Sequence, residues 1–203
     1  MFARRLLASF FVCAVCILPT AGCEDASPVE LPPLSFKQFL PIHMAVSRID
    51  VIEEYKSPMA LPNVEHLVPY SPTEAMRIWV DHRLVAVGID NTLQVIIKNA
   101  PVTVHQMPIE RDWPSFFTGQ PDKRYDAELE VEMRIYQSGS ALSLAKVNTR
   151  AKRSVVINDS VTVLERDRAL RKMITELMTM MNATLEEHMF EHMANHISFS
   201  QNP

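Results

Sequence analysis

The sequence predicts an α+β domain: a two-layer sandwich with a mainly antiparallel, four-stranded sheet and two principal helices packed on one face. Three observations carry that expectation. From Tyr125 the chain alternates without a break, Ala127, Leu129, Val131, Met133 and Ile135 pointing one way and Asp126, Glu128, Glu130, Glu132 and Arg134 the other, the period of a strand with one face on a core and one in water. From about Leu164 the period becomes helical, with Leu170, Ile174, Leu177, Met181 and Leu185 on one stripe. Between Ser71 and Gly88 a second amphipathic helix is marked by a start signal and a stop signal. Strands in a run with flanking helices are the pattern of a two-layer α+β arrangement.

Taken in chain order, Met1 to Arg5 is short and cationic, and Leu6 to Leu18 is apolar apart from Ser9. That is the layout of a secretory signal. An apolar helix of this length reaches roughly 20 Å, short of the roughly 30 Å hydrocarbon core of a bilayer, so it is not expected to be a permanent span. The run Leu18-Pro19-Thr20-Ala21-Gly22-Cys23 resembles a lipobox, in which small residues lead to a cysteine that is acylated before cleavage ahead of it. Ala21 and Gly22 match the motif; Thr20 stands where it usually carries a leucine. Residues 1–22 are therefore expected to be a lipoprotein signal peptide, with Cys23 the lipidation site.

Cysteine usage agrees with this. Cys13 and Cys16 would leave with the signal, and Cys23 would be the one thiol remaining. A lone thiol in an oxidising compartment invites unwanted pairing, and acylation removes it. More than one acyl chain would make the attachment stable where one would be marginal. Removing Arg4 and Arg5 from 20 basic residues set against 24 acidic ones moves the formal charge from −4 to −6. Such a chain is not built for nucleic acid, and attachment to anionic head groups would come from the acyl chains rather than the protein's own field.

Residues 23–41 hold Pro28, Pro32, Pro33 and Pro41 among acidic and small residues, which predicts a tether. A single periplasmic domain is expected over 42–203. Within it, Ile42 to Ile52 reads as the first strand, followed by a Pro-punctuated crossover from Lys56 to Tyr70. Ser71-Pro72-Thr73-Glu74 is a capping box with proline at the first helical position. Met76, Val80, Leu84 and Val87 then line one stripe with Trp79 beside them, and Gly88 ends the helix, predicting it over roughly 72 to 87. Trp79 is expected in the core.

Leu93, Val95 and Ile97 alternate, Asn99-Ala100-Pro101 interrupts, and Val102 and Val104 resume, which predicts a strand bent by a bulge or running along an edge. After the strand from Tyr125, Ser138-Gly139-Ser140 reads as a three-residue hairpin loop. That loop would place Glu132 opposite Lys146, Glu128 opposite Arg150 and Asp126 opposite Lys152. The alternative to a structural charge ladder is a recognition stripe. The methionines at 173, 178, 180, 181, 189 and 193 are expected as adaptable core filler, a lipid-facing groove being the alternative.

His188-Met189-Phe190-Glu191-His192 formally matches the H-x-x-E-H of inverted zinc peptidases, with His196 a further turn along. Three imidazoles at that spacing share a helix face and are weak candidates for a metal. The peptidase also needs an acidic ligand well downstream, and few residues follow His192, so no catalytic residue, metal or cofactor is expected. His43, His66, His82 and His105 are scattered, and the sequence holds no G-x-S-x-G, phosphate-cradling glycine loop or paired-cysteine motif. The long connection Met107 to Arg124, which carries Trp113, Phe116 and Phe117, is the best candidate for partner binding; capping the sheet edge is the alternative.

The order strand, capped helix, strand, strand pair and long helix behind a lipobox resembles small α+β envelope lipoproteins, including auxiliary lipoproteins of ABC transport systems and lipopolysaccharide-assembly lipoproteins. The runs Ser71-Pro72-Thr73-Glu74-Ala75 with Trp79 and Arg83, and Arg124-Tyr125-Asp126-Ala127 with Leu129-Glu130-Val131, look like an uncharacterised bacterial lipoprotein family. The resemblance implies a non-enzymatic accessory or scaffold subunit of a cell-envelope complex, with a protein partner in the envelope. A periplasmic lipid-binding shuttle is the first alternative and a metal-dependent hydrolase the second. Glu24 follows Cys23 where aspartate would signal inner-membrane retention in some bacteria, so the outer membrane is the expected address and the inner membrane the alternative.

Overall fold

The computed structural model describes residues 32–107 and 122–198. Its main sheet is built around a 14-residue strand, β6 (Lys123–Tyr136), antiparallel along one side to β7 (Ser143–Ile157). On its other side β4 (Thr92–Asn99) and β5 (Val102–Gln106) lie end to end, both antiparallel to it, and β2 (Arg48–Glu53) flanks β4 in parallel. With β4 and β5 counted as the one bent strand expected, the sheet has its predicted width of four. The bend is where Asn99-Ala100-Pro101 puts it, with a register shift between Ile97 and Asn99. A separate two-stranded sheet joins β1 (Ile42–Met44) and β3 (Leu84–Ala86) in parallel. The fold is α+β as expected, with a mixed rather than purely antiparallel sheet.

The helices are α1 (Pro72–Arg83) and α2 (Val163–His192). Each starts where a hydroxyl can satisfy an orphan amide. Ser71 accepts from the Glu74 amide at 3.1 Å, and Thr162 and Glu165 form a reciprocal capping box. The α2 stripe Leu170, Ile174, Leu177, Met181 and Leu185 is buried, as is the β6 row from Ala127 to Ile135, and both belong to one apolar cluster with Trp79. Met173, Met178, Met181, Met189 and Met193 are buried in the same cluster, the core role expected; Met180 is exposed.

Several expectations are corrected. The strand read over Ile42 to Ile52 is two strands in two sheets, because the chain turns at 45–47, where the Ser47 amide is taken by the carbonyls of Asp90 at 2.9 Å and Asn91 at 3.1 Å. The helix read over 72 to 87 ends at Arg83, since Leu84 is already extended and pairs with Ile42. Gly88 does not stop a helix. It lets two backbones close: a Cβ there would lie 2.5 Å from the Ala45 carbonyl carbon and 2.6 Å from the Val46 nitrogen. Leu34 and Phe36, inside the stretch expected as tether, are buried in the core. Proline denies that stretch regular structure without preventing its apolar side chains from packing.

The hairpin register is offset by two residues. Glu132 faces Asn148, Glu130 faces Arg150 and Glu128 faces Lys152, while Arg134 faces Lys146. The loop is longer than three residues: the Gln137 amide donates to the Leu142 carbonyl at 3.1 Å, and a further shift lies between Ile135 and Tyr136. An offset of two keeps every side chain on its face, so two expected partners still meet diagonally, Lys146 with Glu132 at 2.7 Å and Arg150 with Glu128 at 3.4 Å.

Candidate functional site

One cleft among the described residues follows from how the crossover after β2 is pinned. Residues 62–64 run antiparallel to β5, with Val64 N donating to Val102 O at 2.7 Å and Val104 N to Pro62 O at 2.9 Å. Glu65 opens the 3-10 turn that follows (Glu65–Leu67) and is buried, at 5% exposure. Its carboxylate accepts the Tyr55 hydroxyl at 2.7 Å and the Val102 amide at 3.4 Å, and Asn63 Nδ2 donates to the Tyr55 oxygen at 3.2 Å. Beside this knot lies a cleft of about 400 Å³, lined among others by Glu53, Tyr55, Lys56, Glu65, His66 and Glu74.

The electrostatics of the knot make it a clamp. Burial, with the adjacent Glu65 carboxylate, pushes the Tyr55 hydroxyl well above its ordinary value of 10.0. Burial also works to raise Glu65, but hydrogen bonds from Ser57, Tyr55 and backbone amides outweigh it and hold the carboxyl below its ordinary value of 4.5. The tyrosine therefore stays protonated and the glutamate ionised across the neutral range, and neither is poised to exchange a proton there. Three carboxylates, from Glu53, Glu65 and Glu74, stand among the lining residues, which suits a hydrated or cationic group better than an acyl chain.

The other candidates are dispersed. Thr149 Oγ1 and His188 Nδ1 are 3.0 Å apart, while His192 faces Glu191 at 3.6 Å and its ring centroid is 6.2 Å from that of His188. His196 is not a further turn along their helix. α2 ends at His192, and 194–196 forms a 3-10 turn whose His196 carbonyl accepts the Ala45 amide at 2.7 Å. Among the described residues no group of three histidine, cysteine or acidic side chains could hold a metal ion.

On the open face of the sheet the β6 carboxylates are engaged by β7. Lys152 meets Glu128 at 2.8 Å, Arg150 pairs with Glu130, and Glu132 is roofed by Lys146 and Arg134. Such mutual neutralisation fits a register-setting ladder. Cys23, Trp113, Phe116 and Phe117 lie outside the described residues.

Two features went unread in the sequence. Arg83 is buried between the helices: its Nε donates to Asn182 Oδ1 at 3.1 Å and its Nη2 to Glu186 at 2.6 Å, while Trp79 Nε1 donates to the same Asn182 oxygen at 2.8 Å. The spacing of Trp79, Arg83, Asn182 and Glu186 at i, i+4 on each helix was the available signal. The second is the exposure of Val87, which the helical reading of 72 to 87 had placed on the inward stripe and which stands beyond β3 instead.

No family model matches the chain, and no curated protein matches it. Among solved structures, the chain is similar to the rare lipoprotein B from Shewanella oneidensis at 13% identity and a TM-score of 0.29, covering 69% of this chain and 97% of that one. It is also similar to a Xanthomonas campestris protein described by the family model DUF330, at 12% identity and a TM-score of 0.29, covering 73% of this chain and 98% of that one. Superpositions this loose assign no function to this chain.

Proposed function

We propose that the chain is an exported bacterial lipoprotein, anchored by acyl chains on Cys23, that serves as a non-enzymatic accessory or scaffold subunit of a cell-envelope complex. The observation that carries this reading is the run Ala21-Gly22-Cys23 directly behind an apolar segment too short to span. A rigid, capped α+β body behind such a signal suits a scaffold. Among the described residues no helix is long and apolar enough to cross a membrane, so attachment in this reading falls to the lipid. The Tyr55–Glu65 clamp, a protonated hydroxyl held against an ionised carboxylate, supports a structural rather than a catalytic use of the cleft beside it. Trp113, Phe116 and Phe117 are the proposed partner contact, and Glu24 favours the outer membrane.

The test compares wild type, Cys23→Ser and Trp113→Ala/Phe117→Ala in the native host. Wild type is expected in the membrane fraction carrying incorporated palmitate, and Cys23→Ser is expected to be soluble and unlabelled. Mild crosslinking should recover an envelope protein with wild type and lose it with the aromatic double variant. Equal membrane retention of Cys23→Ser would end the anchoring reading, and undiminished recovery by the double variant would end the contact assignment.

A further inference from the structure

The margins of the main sheet are not treated alike. An edge strand presents a row of unpaired N–H and C=O groups, which chains blunt with short strands, bulges, proline or a covering segment. β2 is only 6 residues long. β5 is covered by residues 62–64 through the Val64–Val102 and Val104–Pro62 bonds. β7 has neither protection. It runs 15 residues without proline, keeps one register with β6 from Ala145 to Ile157, and among the described residues pairs with no strand but β6. Its outer edge is therefore about 50 Å of unpaired backbone.

The side chains along that edge carry one sign. β7 holds Lys146, Arg150, Lys152 and Arg153 and no acidic residue. Arg153 turns to Glu176 of α2 at 2.7 Å, and the other three stand on the open face beside the β6 carboxylates. The ladder is balanced in number but not in exposure. The side chains of Lys146, Arg150 and Lys152 are 52%, 55% and 65% exposed, whereas those of Glu132, Glu130 and Glu128 that they engage are 5%, 18% and 20% exposed. The carboxylates lie covered and the cations face out, so the margin of the sheet is a positive rail.

Backbone and charge select the same occupant. A lipid phosphate can answer the cations and the N–H groups of the edge but not its C=O groups, whereas an extended chain supplies donors and acceptors together. A second copy of this chain pairing edge to edge would lay the Lys146, Arg150 and Lys152 row against its own like, and like charges directly opposite one another destabilise a sheet. The cations that bar self-pairing admit an acidic strand. β6 is the internal precedent, since Glu128, Glu130 and Glu132 bring such a row to the inner edge of β7.

We propose that the outer edge of β7 receives an extended strand of another protein, with acidic residues at alternate positions, as one more strand of the sheet. Main-chain bonds supply the affinity of such an addition and the flanking side chains its specificity. Here the specificity lies in Lys146, Arg150 and Lys152, with Asn148 between the first two tolerating a neutral residue opposite. The inference adds a second protein contact to the accessory reading, and it depends on neither Cys23 nor Trp113.

The experiment uses the full chain as its native host makes it, held in detergent, and a labelled synthetic peptide with the sequence of β6. Fluorescence anisotropy is expected to show binding that weakens several-fold as salt is raised. Hydrogen exchange should slow at alternate amides between residues 145 and 155. Two further peptides, N-methylated at the odd or at the even residues, keep the charges but lose the donors of one edge. One should bind as the parent does, and the other should lose about ten-fold or more. A peptide with lysine at the four acidic positions of β6 should not bind. Equal binding by both methylated peptides would reduce the edge to a general polyanion site and overturn the proposal, as would binding of the lysine peptide or no binding at millimolar peptide. Sedimentation of the chain alone covers the remaining occupant: a dimer that the peptide dissociates would give the edge to a second copy. Palmitate on Cys23 and crosslinking through Trp113 are read separately, so failure here leaves the accessory reading standing.

Discussion

The guanidinium of Arg83 and the side-chain oxygen of Asn182 meet at 3.1 Å in the seam between α1 and α2, and Trp79 donates to the same oxygen. One acceptor on α2 therefore satisfies two buried donors on α1. Leucine at 182 would fill the volume and orphan both donors, each costing about 1–3 kcal/mol, with the charged one at the upper end. Asn182→Leu is expected to lower unfolding free energy by about 3 kcal/mol in urea titrations. A loss below about 1 kcal/mol would show that the seam does not depend on this acceptor.

Gly88 separates two accounts of how α1 gives way to strand. A helix-stop glycine would accept alanine at a modest cost, whereas a Cβ at 2.5 Å from the Ala45 carbonyl carbon meets backbone that cannot swing aside. Gly88→Ala is expected to destabilise the chain by about 1–3 kcal/mol, the range for forced overpacking. Gly139, with φ +70° and open space around it, should respond through backbone strain alone, at about 1 kcal/mol. Thermal unfolding of both variants beside wild type reads the difference.

The ladder on the open sheet face should behave as a register device. Lys152→Glu places like charges beside Glu128, and the exchange Glu128→Lys with Lys152→Glu restores attraction. A coupling of about 0.2–1 kcal/mol is expected from the double-mutant cycle, shrinking in high salt. A coupling indistinguishable from zero at low salt would remove these charges from any part in setting the pairing.

Acid should loosen the domain in a defined direction. In Glu65, Glu132 and Asp126 burial works to raise the carboxyl pKa. It is outweighed by Ser57 and Tyr55, by Lys146 and Arg134, and by Ser154 and Arg124, respectively. Each folded value therefore lies below the unfolded one, so the stabilisation is present above the ordinary values of 4.5 and 3.8 and is lost as pH falls through the lower folded values. The melting temperature should fall progressively below about pH 4.5, and Glu132→Gln should make that fall shallower. A melting temperature that rises on acidification would contradict the sign.

How much of this was legible in the sequence depended on whether the deciding contacts were local. The rows of β6 and α2 were read residue by residue because period alone defines them. The end of α1 was not: Met76, Val80, Leu84 and Val87 recur at helical spacing, and only the pairing of Leu84 with Ile42, far away in sequence, takes Leu84 into strand and leaves Val87 beyond it. The same long-range pairing splits the strand read over Ile42 to Ile52. The hairpin was recognised but its offset was not, because Ser138-Gly139-Ser140 marks a turn without saying how many residues close it. Of the candidate site, the histidine trio depended on helix continuing to His196, and the partner-binding aromatics fall outside the described residues. The Tyr55–Glu65 clamp joins residues ten apart in a crossover with no periodicity to reveal it.

The two-residue offset of the β6–β7 pairing also bears on how this hairpin could change over time. Because sides alternate with each residue, a slip of two left the inward row Val147, Thr149 and Ala151 inward and merely reassigned charge partners. A slip of one would send that row into solvent and drive Lys146, Asn148 and Arg150 against α2. Insertions in the strands themselves are therefore tolerated in pairs and penalised singly, while the tip from Gln137 to Leu142 can lengthen by any number. Length variation among descendants of this chain should collect at the tip and, within the arms, come in even steps.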